Sequence, residues 1–176
     1  MADGDWSDYV AGAGSDTSAL TGAADAMGDA TEALQPGLES IDATALPDDA
    51  AAGVASAEYD TTQAASWEQW SQGDLANAAS WQDQAAGDLQ SAKEWAAFGN
   101  MDAARQEIDA AGTASGIGEG AAGVAASDLG IGAGYMDAAS TELSSVADTT
   151  AAADTTAAAD TTAAADTTAA AAEADA

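Results

Sequence analysis

Carboxylates dominate the chemistry of this sequence. Thirty-one Asp and Glu stand against two basic residues, Lys93 and Arg105, giving a net charge of −29. General acid–base catalysis needs one carboxyl set apart from the others by an apolar pocket that raises its pKa. Here the carboxyls are spread along the whole chain. Leu, Ile, Val and Phe together number 17 of 176 residues, too few to line such a pocket. His and Cys are absent, which removes imidazole and thiol chemistry, disulfides and the usual zinc ligands. The sequence contains no phosphate-binding glycine loop, nucleophile elbow or dinucleotide fingerprint. The expectation is a non-enzymatic protein with no catalytic residues, no cofactor and no metal site.

Indole is the other group placed with regularity. ASWEQWSQGDLANA (65–78) is followed at once by ASWQDQAAGDLQSA (79–92), so Trp67, Trp81 and Trp95 stand fourteen residues apart. Fourteen residues are nearly four helical turns, so on one helix the three rings share a side. Trp70 and Phe98 fall three residues after Trp67 and Trp95. Burying an indole removes up to about 250 Å² from water, worth several kcal/mol. The row Trp67, Trp70, Trp81, Trp95 and Phe98 is therefore expected to supply the main packing energy, either inside one bundle or against another subunit. Stacking on nucleic acid needs a basic groove, and two cations cannot make one.

Helices must hold these rings. Alanine, the best helix former, supplies 54 residues. Residues 1–14, rich in Gly and Asp, read as a mobile terminus. A helical region is expected over 15–111. Its first part carries a second seam, Leu20, Met27, Leu34 and Ile41, with Ala24, Thr31 and Leu38 as companions at heptad spacing. Pro36-Gly37 predicts a break near Gln35, with a short helix resuming from 37 to 45. Pro47, Asp48 and Asp49 suit the start of a long helix running through the Trp repeats to Ala111. Gly73, Gly87 and Gly99 are its weak points. The rival is a stack of short helices, each ended by Gly and capped by Asp. Residues 112–134 form a Gly-rich segment, read mainly as a flexible linker. Gly112, Gly116 and Gly120 also fit close helix packing, and Ile117, Val124, Leu129 and Ile131 a membrane-active face. Glu119 and Asp128 oppose deep insertion. A short helix is expected over 135–147. Over 148–176 the repeated DTTAAA is expected to be a solvated tail, weakly helical or disordered.

Several stretches resemble known patterns in part. The acidic, Lys-poor balance resembles proteins of salt-in halophiles, where molar salt shortens the Debye length to about 3 Å and screens self-repulsion. Gly-Asp-Leu-x-x-Ala is similar to a turn of tetratricopeptide repeats, but their period is 34 residues and not fourteen. Trp70 followed by Gly73 resembles the Trp-x-Gly turn of the WXG secretion family, with two intervening residues in place of one. Asp3, Asp5, Ser7 and Asp8 resemble the start of a calcium loop. The EF-hand pattern wants Gly and Glu where Asp8 and Gly14 stand.

The sequence therefore points to an all-α protein, an elongated helical hairpin or small bundle. Its expected role is structural: a helical component of a larger assembly, such as a virus particle, in a salt-loving setting. The alternatives are a secreted helical-hairpin effector and a largely disordered hydration or stress protein. Expected partners are proteins, a second copy of this chain included. Nucleic acid is excluded on charge, and membrane contact would run through 112–134. The opening residues carry no secretory signal and no stretch is apolar enough to span a bilayer, which favours a high-salt cytoplasm or a particle.

Overall fold

The computed structural model describes the backbone of residues 7–174 and the side chains of 17–153 and Thr155. Among these residues there are three α-helices and no strand: α1 (Ser7–Glu39), α2 (Asp48–Ala97) and α3 (Met101–Ala174), with a short 3-10 turn at Ala43–Ala45. The chain is all-α, as its alanine content implies. Two compact units share these helices. Unit 1 combines Met1–Glu32 with Gln63–Tyr135, and unit 2 combines Ala33–Thr62 with Met136–Ala176.

Several expected boundaries move. α1 begins at Ser7 rather than Ser15, so Gly12 and Gly14 weaken the helix without stopping it. The expected break at Gln35 does not occur, because α1 passes through Pro36 to Glu39. Proline removes one backbone bond and crowds the preceding turn, but the helix stops three residues later. Its end is tied by Ser40, whose N–H donates to the Pro36 and Gly37 carbonyls at 3.2 and 3.3 Å. In place of a helix over 37–45 there is only the 3-10 turn. Asp42 caps it, accepting from the Thr44 N–H at 3.1 Å and hydroxyl at 2.6 Å. These bonds, the hydroxyl first, hold the Asp42 carboxyl below its ordinary pKa.

α2 is one 50-residue helix, with Gly73 and Gly87 inside it. It does not reach Ala111, however. It ends at Ala97, where Gly99 takes φ +78°, a backbone conformation that a Cβ would strain. The Gly99 N–H donates to the Ala96 carbonyl at 3.0 Å and the Asn100 N–H to the Trp95 carbonyl at 2.9 Å, the paired bonds of a Schellman stop. Asn100 then caps α3, its Oδ1 accepting from the Ala103 N–H at 3.2 Å. The Gly-rich segment is not a linker. Residues 112–134 lie inside α3, and helical backbone continues through the DTTAAA repeats to Ala174.

In unit 1, α2 buries Ala64, Ser71, Ala78, Ala85 and Ala92, small residues seven apart. α3 answers with Ala104, Ala111, Gly118, Ala125 and Gly132, also buried and also seven apart. α2 and α3 run antiparallel here, since Ala85 and Leu89 cluster with Ala111 and Ala114 while Trp67, earlier in α2, meets Gly132, later in α3. A Cβ on Gly118 would lie 3.3 Å from the Ala78 carbonyl oxygen and 3.4 Å from the Trp81 Cβ. The helices therefore meet at the level of their backbones, and small residues make that possible. α1 joins through Gly28, beside the Glu68 carboxylate, and through Met27. The companion Thr31 is buried, and its hydroxyl donates to the Met27 carbonyl at 2.6 Å.

Unit 2 has its own core of Leu38, Ala50, Val54, Ala57, Ala139 and Val146, with Ile41, Leu46 and Leu143 packed against it. Here too a glycine meets a larger residue. A Cβ on Gly53 would come within 2.8 Å of the Val146 Cγ2.

Candidate interaction surfaces

The Trp row is not the core. Trp67, Trp81 and Trp95 each follow a buried alanine (Ala64, Ala78 and Ala92) by three residues, which sets them along the flank of the seam. Trp67 and Trp81 are half-buried there. Trp70 and Trp95 are exposed, at 55% and 42%, and Phe98 is 83% exposed. Heptad periodicity leaves two seams equally open to a reader, one bulky and one small. Backbone-level approach selects the small one, because an indole cannot fit between helices that close.

The fourteen-residue interval has a counterpart on α3. The Trp67 Cβ lies 3.3 Å from where a Gly132 Cβ would be, and the Trp81 Cβ lies 3.4 Å from that of Gly118. Gly118 and Gly132 are themselves fourteen apart. Steps of seven along the flank of α2 read Trp67, Asp74, Trp81, Asp88, Trp95. The matching α3 steps read Gly132, Ala125, Gly118, Ala111, Ala104. Glycine stands opposite the two half-buried indoles and alanine fills the other places.

Of the second seam, Met27 is buried, and Leu20, Leu34 and Ile41 are half-buried. Leu20 and Met27 belong to unit 1, Leu34 and Ile41 to unit 2. Met27 meets the row at one point, since its Sδ and the Trp67 Cβ both border the space above Gly132. The spacing-four glycines play no such part, for a Cβ on Gly112, Gly116 or Gly120 would meet nothing within 4 Å. On α3, Ile117, Val124 and Ile131 are exposed while Leu129 is buried, so these four do not form one open apolar face. Among the described residues no helix is long and apolar enough to cross a membrane. Trp70 and Gly73 lie inside α2 and not at a turn. Asp3 and Asp5 lie outside the described residues, and Ser7 and Asp8 begin α1.

Three local features stand out. The first is the α2–α3 turn. Phe98, Trp95 and Met101 are exposed beside one another in sequence, and the chain's only two cations, Lys93 and Arg105, flank them. With Glu94 and Asp102 the charges over 93–105 balance, so the whole −29 resides elsewhere. The Arg105–Asp102 pair spans 3.7 Å with both side chains largely exposed, so it contributes little.

The second is an acidic group in unit 1. Glu68 accepts from the Gln72 amide at 2.8 Å. Partial burial first, then the charges of Glu32, Asp25 and Asp29, raise its pKa above the ordinary value.

The third is a groove of about 590 Å³ lined by Trp67, Gln69, Trp70, Gly73, Asp74 and Asp128. Its two indoles pack edge to face, centroids 4.7 Å apart and planes at 87°. Sequence reading found both tryptophans. It did not find the groove, because Asp128 is brought in from α3.

No family model, curated protein or solved structure matches the chain.

Proposed function

We propose that this protein is a non-enzymatic structural component, a helical element that joins a larger assembly, a virus particle among the candidates, in concentrated salt. One observation carries the reading: the α2–α3 turn holds both of the chain's cations, balances its charge over 93–105 and bears exposed Phe98, Trp95 and Met101. A chain this poor in large apolar residues gains nothing for its own core by leaving three of them in water. Exposed aromatic clusters are the usual anchors of protein contacts. Like-charge repulsion from 31 carboxylates opposes any acidic partner, and most of all a second copy, except where charge is balanced. Molar salt removes most of what repulsion remains.

Light scattering in about 3 M KCl, where the Debye length is below about 3 Å, tests the reading. Assembly is expected for the natural chain, alone or with its partner. It should be lost in the double variant Trp95→Ser/Phe98→Ser, with helix content unchanged. Equal assembly by the double variant would refute the role of the turn.

A further inference from the structure

The groove beside Trp67 and Trp70 has a chemistry of its own, independent of the assembly reading. We propose that it binds a small alkylated ammonium ion. Two indoles at 87° make a corner of aromatic surface. Asp74 from α2 and Asp128 from α3 bring carboxylates to the same space. Neither carboxylate has a hydrogen-bond or ion-pair partner among the described residues. The chain's own cations sit at the α2–α3 turn, Lys93 being nineteen residues beyond Asp74.

Each other ligand class fails on one of these features. An anion meets two carboxylates within a −29 chain. A neutral apolar molecule would leave both carboxylates desolvated without compensation, which is costly. A bare metal ion wants several converging oxygen ligands, and among the described residues no group of three or more acidic side chains is placed to hold one. An alkylammonium ion suits all of them. Its methyl groups lie against the indoles, its charge is attracted by the ring quadrupoles, and the carboxylates neutralise it. The volume is within the range of small-molecule sites, about 300–1,000 Å³. Gly73 is an exposed lining residue, and a Cβ there would meet nothing within 4 Å.

The experiment titrates the full chain with choline chloride in about 1 M KCl, following tryptophan fluorescence. High salt removes general attraction to the acidic surface. Saturable binding is expected, with no response to the uncharged isostere 3,3-dimethylbutan-1-ol. Trp70→Leu should weaken binding by roughly two- to five-fold, the worth of a cation–π contact at an exposed site. Asp128→Asn should weaken it as well. Gly73→Leu adds bulk to the lining from a position where the side chain starts in open space, and it should abolish binding while circular dichroism stays unchanged. A linear response, an equal response to the isostere, or full binding by Gly73→Leu would overturn the proposal. A trimethyllysine peptide binding far more tightly than choline would overturn the small-ion assignment and give the groove to a protein partner.

Discussion

Leucine at two neighbouring glycines of α3 should have opposite effects. Gly118→Leu and Gly120→Leu are the same substitution two residues apart in one helix, so each gains the same helix propensity, about 0.8 kcal/mol. A Cβ at Gly120 meets nothing within 4 Å, so there the gain is expressed and the protein is stabilised. A Cβ at Gly118 stands 3.3 Å from the Ala78 carbonyl oxygen and 3.4 Å from the Trp81 Cβ. Neither atom is the free end of a flexible chain, and three further carbons have no room between the backbones. Overpacking of this kind costs typically 1–3 kcal/mol, more than the propensity returns. For a chain of this length each kcal/mol moves Tm by about 2–4 °C. Gly118→Leu should therefore melt roughly 2–12 °C below Gly120→Leu. The assay is thermal unfolding followed by circular dichroism in high salt. Equal melting temperatures would show that α2 and α3 do not meet at Gly118.

Three further outcomes follow from single residues. Ser71 is fully buried and its hydroxyl has no partner among the described residues, unlike Thr31, which bonds its own helix. Ser71→Ala should stabilise by about 1 kcal/mol in denaturant unfolding, by removing an orphaned polar atom and improving propensity. Gly99→Ala should destabilise by about 1 kcal/mol or more in the same assay, because φ +78° is retained by the Schellman stop. Glu68 has a raised folded pKa, so the folded state holds its proton more tightly than the unfolded state. Its stabilising effect is full below the unfolded value, near 4.5, and is lost as pH rises through the folded value. Glu68→Gln should thus raise Tm at pH 7, with a smaller gain in molar KCl where the charges of Glu32, Asp25 and Asp29 are screened. Denaturation curves at pH 4 and pH 7 check the sign.

Much of the helical plan is legible in the residues. Alanine abundance implies helix, Pro47-Asp48 marks where α2 begins, and the heptad spacing of Ala24, Thr31 and Leu38 marks residues that α1 buries. The Phe98–Asn100 stop is equally legible, since Gly then Asn is a C-terminal stop followed by an N-cap, whereas the Trp spacing points to one unbroken helix through the weak point at Gly99. Two features needed the fold. Seven-residue periodicity fits the seam of Ala64, Ser71 and Ala78 as well as the Trp flank, and bulk favours the flank, whereas the α2–α3 contact within unit 1 uses the small seam. The glycines of 112–134 look like a linker until Gly118 and Gly132 are set against Trp81 and Trp67. Then two of them are contacts, and the partner helix explains why so loose a sequence stays helical.

The register between α2 and α3 is the central claim, and cross-linking reads it directly. The chain has no Cys, so an introduced pair reports without interference. A disulfide forms when two Cβ atoms lie about 3.5–4.5 Å apart, and positions 81 and 118 stand at 3.4 Å. Trp81→Cys with Gly118→Cys should oxidise to an intramolecular disulfide, while Trp81→Cys with Ala125→Cys, one heptad away, should remain reduced. Efficient closure of the second pair and not the first would contradict the pairing of glycine with tryptophan.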